Sequence, residues 1–428
     1  MPITSGRFNH RHLLSMTTMP FETWSTIFQH LIQGTNTTRS RLRLLHVNRE
    51  WRGIATGTPR LWTDLHIRRP DPSQAQFFLK NSGALPVNVN IELLNLSSTP
   101  KPKLAALTKT LSEHIHRIWT LDIHVEEHTY ADSLIAQIGA GQDAPLLESL
   151  SVRVDKESGD LFPSFEALQS AFRSTPKITH LSLPAYPLPN SSSPLLSTGS
   201  ITHLTLDATP FYSNLNHDML FDMLGSVSGN LRSFTFKGSD DFSYTTGFPE
   251  FNMPHLTSAD VTAPGWGLDI FSAFRAPALS DVRLDALMQK EYHTPEDWAS
   301  QYSEPVTRSL KLLSERSPSI KRLDLAGTPL QEPKMDYTWL FGGAFPMLET
   351  LRFEGTDITD ELLATATAGG MPNLKELEIS NCAGVQGHGL ISFLRTRKEG
   401  FKLTLKDNSC ISKDMLENIS SLVTVVTL

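Results

Sequence analysis

Cysteine is scarce in this sequence. Its 428 residues hold two, Cys382 and Cys410. That excludes a disulfide scaffold and a four-cysteine zinc site, and it fits a reducing compartment. Long apolar runs are missing too. No stretch approaches the roughly 18 apolar residues that a membrane helix needs. The opening MPITSGRFNHRHLLSMTTMP has no apolar run of signal-peptide length. The expectation is an intracellular protein, in the cytoplasm or the nucleus, with no membrane partner. The N-x-S/T sequences at Asn36, Asn95, Asn190 and Asn418 are then chance matches, because glycosylation requires secretion. Excess positive charge is absent: 38 Lys and Arg stand against 45 Asp and Glu, a net charge of -7. Coating nucleic acid requires a basic stripe, so no nucleic-acid partner is expected. Also absent are G-x-x-x-x-G-K-[ST], a G-x-G-x-x-G after a strand, and G-x-S-x-G. The usual phosphate cradles and nucleophile elbows are thereby removed, and no cofactor is expected.

What is present falls into two textures. From about Thr17 to Ile67 the pattern is helical. Pro20 suits a first helical turn, with Thr18 as its cap. Trp24, Ile27, Phe28 and Leu31 then form an apolar stripe, broken by Gly34 to Thr37. A second stripe runs through Leu42, Leu45, Val47, Trp51, Ile54 and Ala55, and Gly57 and Pro59 end it. Two or three short helices in so few residues are marginal alone. Their large apolar residues are either covered by the rest of the chain or form a docking face.

The remainder is repetitive. The pattern apolar-x-x-apolar-x-apolar recurs at Ile118/Leu121/Ile123, Leu147/Leu150/Val152, Ile178/Leu181/Leu183 and Ile201/Leu204/Leu206. It continues at Leu231, Leu279, Ile320, Leu348 and Leu374, with a weaker copy at Leu256. Pro145, Pro176, Pro254, Pro277, Pro318, Pro346 and Pro372 each stand two residues before the first apolar position. One such unit cannot bury its own apolar edge, whereas stacked units bury a continuous ladder of leucines. A doubly wound α/β domain also alternates strands and helices, but its strands read as unbroken apolar runs. Here polar residues such as Lys375, Glu376 and Glu378 separate the leucines. The predicted fold is α/β: a three-helix N-terminal unit, then a leucine-rich-repeat solenoid with a parallel concave sheet. The expected boundaries are a flexible tail over 1–16, the helical unit over 17–67, a linker and irregular first repeat over 68–117, and the repeat domain over 118–428.

The helical unit resembles the F-box. The residues that carry the resemblance are Met19-Pro20-Phe21-Glu22, Ile27-Phe28, Val47 to Trp51, and Leu61-Trp62. Met19 replaces the family's Leu, a volume-conserving change, and Asn48 stands where Cys is common. Leu374 to Leu390 is similar to the cysteine-containing leucine-rich repeats that many F-box proteins carry. The resemblance implies a substrate-recognition subunit of an SCF-type ubiquitin ligase. Such a subunit binds a Skp-family adaptor, and through it a cullin, and performs no chemistry itself. The adaptor-binding positions it implies are Met19, Pro20, Ile27, Phe28, Leu31, Val47 and Trp51. The competing reading is a repeat scaffold whose helical unit only caps the solenoid's open end.

Three residue sets invite chemistry. His124, Glu127 and His128 fit H-x-x-E-H, which binds zinc when both histidines share a helical face and a further ligand exists. Here the motif follows a predicted strand, so a polar turn is expected, with neither metal nor hydrolase activity. Cys382 and Cys410 recur near the corner of successive repeats, as small buried fillers do. Pro187 to Pro194 holds three serines before a proline, either an inter-repeat loop or a regulatory phosphorylation segment. Finally, residues between the leucines point out of the concave sheet. Arg283, Asp324, Arg352 and Glu378 stack into one column, expected to be a self-satisfied ion ladder. The earlier strands offer Ser151, Ser182, Thr205 and Thr235, with His180 and His203 one column over. His180, Ser182, His203 and Thr205 are the expected target-binding residues.

Overall fold

The computed structural model describes residues 19–33, 38–94, 101–155, 166–197, 199–207, 217–238, 249–263, 265–286, 295–330, 337–366, 370–397 and 400–427. The tail 1–16, Thr18 and the Gly34–Thr37 break lie outside them. Three helices open the chain: α1 (Phe21–Gln33), α2 (Thr38–Val47) and α3 (Arg49–Thr56). Asn48 caps α3 by accepting from the Trp51 backbone N–H at 2.8 Å, which is what an Asn at this position supplies and a Cys does not.

One 14-stranded parallel sheet follows. Its strands are β1 (Asp64–Ile67), β2 (Val87–Leu93), β3 (Ile118–Val125), β4 (Ser149–Val154), β5 (His180–Pro184), β6 (His203–Asp207) and β7 (Ser233–Lys237). Then come β8 (Ser258–Thr262), β9 (Asp281–Asp285), β10 (Arg322–Ala326), β11 (Thr350–Glu354), β12 (Glu376–Ser380), β13 (Lys402–Lys406) and β14 (Thr424–Thr427). Each pairs with the strand next in the chain, and the order never reverses. A doubly wound sheet reverses at a switch point. This chain is an α/β leucine-rich-repeat solenoid.

Two side chains per strand point inward and stack without offset. Leu121, Leu150, Leu181, Leu204 and Phe234 form one row, and Ile123, Val152, Leu183, Leu206 and Phe236 lie beside or near them in a second. All are at most 1% exposed. The prolines have a local task. Pro145, Pro176, Pro254, Pro277, Pro318, Pro346 and Pro372 each follow a turn-opening carbonyl, to which the N–H three residues on donates: Leu147 to Ala144, Ile178 to Thr175, and so on through Leu374 to Met371. Proline's fixed φ suits the second position of such a turn. The wide interval before Ile320 is filled by a helix, Pro295–Arg316.

The sheet starts earlier than the leucine pattern does. β1 lies within the region read as F-box, and β2 within the region read as linker and irregular first repeat; both are strands of the ladder, with a register shift between β2 and β3 at Val87/Asn88. The helical unit closes the open edge. β1 carbonyls that face away from β2 need donors. Thr38 Oγ1 and Gln74 Nε2 donate to the His66 carbonyl at 3.2 and 3.3 Å, and Arg41 donates to the Asp64 carbonyl. Trp62 is fully buried, donates through Nε1 to the Ala55 carbonyl at 2.7 Å, and meets Phe77 and Phe78 edge-on.

Candidate protein-interaction surfaces

The helical unit has an inner and an outer set of apolar residues. Phe28 is 0% exposed, and Ile32, Leu44 and Ala55 are buried with it. Phe28 packs on Trp51 with ring centroids 4.8 Å apart, and Trp24 stands 6.0 Å from both. Phe28 is therefore core, not the docking residue expected from its family position, and Trp51 is half-buried beside it. The outer set is different. Leu31 is 54% and Val47 55% exposed, and Phe21, which the sequence reading did not assign to docking, is 44% exposed. Pro20 is exposed, and Met19 and Ile27 are half-buried. Ile27 and Leu31, four residues apart on α1, share one flank.

The concave sheet divides into three zones. At the N-terminal edge, Asn88 donates to Asp64 at 2.7 Å, Thr120 to Asn88 at 3.1 Å, and Asn90 to Asp122 at 2.8 Å. At the C-terminal end the charges pair. Arg352 meets Glu354 at 2.8 Å, Asp324 at 3.2 Å and Glu378 at 3.4 Å; Lys406 meets Glu378 at 3.1 Å, and Lys402 meets Glu376 at 2.6 Å. Burial pushes the Asp324 carboxyl above its ordinary range, against the pull of Arg352 and Arg283. Both zones pair polar side chains across strands.

The hydroxyls of the zone between them do not. Ser151, Ser182, Thr205 and Thr235 follow one another across β4 to β7. All four are half-buried, and none of their hydroxyls hydrogen-bonds another described residue. In the next column His180 and His203 are register partners. Both are exposed, and their rings stack 4.1 Å apart with planes 7° from parallel. Thr179 Oγ1 engages His180 Nδ1 at 2.8 Å and Thr202 Oγ1 engages His203 Nδ1 at 2.9 Å. Partial burial first, then the charges of His180 and Arg232, hold His203 below the ordinary imidazole range. The four residues expected at a target site thus lie together.

The other singled-out residues have structural surroundings. His124 lies one residue before the end of β3 and contacts Asp155 at 2.7 Å. His128 begins the helix His128–Gly139 and is 2% exposed, its ring against that of Tyr186 at 6.1 Å. Burial lowers its pKa to about 4. The trio is thus not a polar turn: His128 is an interior residue. No group of three or more His, Cys, Asp or Glu is placed to hold a metal among the described residues. Cys382 is buried, and burial pushes its thiol up; Cys410 is exposed and is not the buried filler expected. Ser193, the serine before Pro194, is also buried, whereas Ser192 is exposed and joins Asn190 and Gln169. No helix among the described residues is long and apolar enough to cross a membrane.

No protein-family model matches the chain, and no curated protein matches its sequence. Among solved structures it is similar to TLR13 in complex with ssRNA13, at 14% identity and a TM-score of 0.39, covering 71% of this chain and 42% of that one. A leucine-rich-repeat-containing protein of Legionella pneumophila, LegL7, is similar at 15% identity and 0.38, covering 74% and 90%. A chain of the yeast Rad7 and Elc1 complex is similar at 11% identity and 0.43, covering 95% and 92%. The chain thus spans less than half the length of the TLR13 chain.

Proposed function

We propose that this protein is the substrate-recognition subunit of an SCF-type ubiquitin ligase. α1 to α3 dock a Skp-family adaptor, which links the chain to a cullin, and the middle of the concave sheet receives a target protein. Such a subunit acts in the cytoplasm or the nucleus and does no chemistry. One observation carries the reading. A helical unit that needs only to cap the solenoid has no use for Leu31 and Val47, yet both face solvent at more than half exposure. Exposed aliphatic residues on short helices are how a helical motif obtains affinity from a small patch. The docking set is accordingly Met19, Pro20, Ile27, Leu31 and Val47, joined by Phe21; Phe28 and Trp51 hold the helices that display it.

A second reading is favoured by the donors that Thr38 and Arg41 supply to the edge strand. In it the chain is a leucine-rich-repeat interaction scaffold and the helices are a cap alone. The two readings differ in the task of the outer apolar residues. Leu31→Glu with Val47→Glu alters only exposed positions, so the variant keeps the fold. Co-purification of a Skp-family adaptor with wild type, and its loss in this variant at unchanged thermal stability, is the expected result. Equal adaptor recovery from both removes the receptor reading and leaves the scaffold.

A further inference from the structure

The middle zone has a rim that the repeat pattern does not reveal. β3 carries a bulge: Val87 pairs with Ile118 and Asn88 with Thr120, leaving Trp119 as an extra residue. Ile118 is buried, and Trp119 is 43% exposed, an exposed aromatic on a sheet strand. Its carbonyl accepts from the Glu148 N–H at 2.9 Å, which fixes the strand end that displays it. Along the same entry side of the sheet stand Ser149, His180, His203 and, just before β7, the exposed Arg232. Strands lie about 4.8 Å apart, so Trp119 sits about 10 Å from His180 and about 19 Å from Arg232 across the sheet.

We propose that Trp119, His180, His203 and Arg232 bind an extended acidic segment of a target protein, with an apolar side chain on Trp119 and a carboxylate between the imidazoles and Arg232. This rests on the reading that the middle of the concave sheet receives the target. Charge complementarity commits the occupant. Each histidine has its Nδ1 occupied by the preceding threonine hydroxyl, so Nε2 is the atom left to face a ligand. Arg232 is near enough to depress the neighbouring His203. The Arg232 guanidinium beside His203 forms a cationic end, and Trp119 forms an apolar end. Glu148, between Trp119 and Thr179 in the sheet, keeps an incoming acid away from the tryptophan and toward the arginine. An extended chain rises about 3.3 Å per residue, so about four to five residues separate the two anchors. Ser182 and Thr205 lie on the same face, about 7 Å further along their strands, where their hydroxyls can meet side chains of the segment.

Proton linkage follows from the same geometry. The residues next to the histidine pair in the sheet are Glu148 and Ser149 on the β4 side, Arg232 and Ser233 on the β7 side, and Thr179 and Thr202 on their own strands. A bound carboxylate opposes the positive neighbours and favours the imidazolium, so binding takes up a proton and tightens as pH falls.

The test uses the full-length chain and fluorescent peptides read by anisotropy. The probe carries one Phe about four residues before a Glu-Glu pair, in Gly-Ser flanks; controls replace Phe by Ala, Glu-Glu by Gln-Gln, or Glu-Glu by phosphoserine. The expected result is binding of the probe at least about tenfold tighter than of the Ala and Gln controls. It should tighten severalfold between about pH 8 and about pH 5.5. Trp119→Ala should weaken it about tenfold at every pH, while His180→Asn with His203→Asn removes the pH dependence. No binding of the probe, or binding of the phosphoserine control alone, overturns the proposal. Loss of binding in Ser182→Arg with Thr205→Arg, but none in the Trp119 and histidine variants, also overturns it, and leaves the concave-sheet reading standing.

Discussion

Arg41 reaches from α2 to Asp64 on the edge strand and holds both its carboxylate, at 3.0 Å, and its backbone carbonyl. The arginine side chain is 2% exposed. Its burial lowers the guanidinium pKa, against the attraction of Asp64. One residue thus ties the helical unit to the open edge of the solenoid. Arg41→Ala leaves a β1 carbonyl without a donor, and a cost of about 2 kcal/mol is expected, since a buried acceptor is left unmade. Hydrogen exchange checks where the loss falls: faster exchange confined to α1, α2 and β1 is predicted, with the C-terminal strands unchanged.

His128 makes stability depend on acid. Its folded pKa is about 4, below the ordinary value near 6.5. A depressed histidine binds its proton more readily in the unfolded chain. Its contribution is therefore complete above about pH 6.5 and is lost as pH falls toward about 4, at most about 3 kcal/mol in all. His128→Phe keeps a ring against Tyr186 and removes the titration. Chemical denaturation over this range should show a flatter pH profile for the variant than for wild type.

Gly389 tests the stacking of neighbouring repeats. It lies in the helix His388–Leu394, where a Cβ would overlap the Asp360 carbonyl of the preceding repeat. Helix propensity alone favours alanine over glycine by about 1 kcal/mol. The close approach reverses the sign. Gly389→Ala should lower stability by about 1–3 kcal/mol, because backbone must shift to admit the methyl group. A gain in melting temperature would show that the repeats do not touch here.

Phe28 and Leu31 separate packing from docking three residues apart. Phe28→Ala should cost about 3–5 kcal/mol and loosen the helical unit, whereas Leu31→Ala, at an exposed position, should change stability by no more than about 0.5 kcal/mol. Thermal unfolding of the two single variants checks the contrast.

The solenoid was legible because its repeat places an apolar residue wherever a side chain must point inward. Leu181 and Leu204, or Leu351 and Leu377, occupy matching rows for that reason. The stacked histidines were legible in the same way, from Thr-His-Leu recurring at residues 179–181 and 202–204. The first strand was not, because Asp64-Leu-His-Ile is too short to show the pattern and is identified by its pairing with Val87–Leu93. Trp119 was hidden by a bulge, which adds a residue to the strand without changing its composition. Phe28 was misassigned because a family position records a residue type and not the side it faces. Val-Asn-Val-Asn-Ile-Glu-Leu at residues 87–93 alternates openly, and it forms a strand of the sheet inside the stretch read as linker and irregular first repeat.

Hydrogen exchange of the full-length chain with and without a purified Skp-family adaptor tests the receptor assignment most directly. The account predicts slowed exchange in α1 and α2, around Leu31 and Val47, with β5 and β6 unaffected. Unchanged exchange at saturating adaptor, or protection at His180 to Asp207 instead, would contradict it.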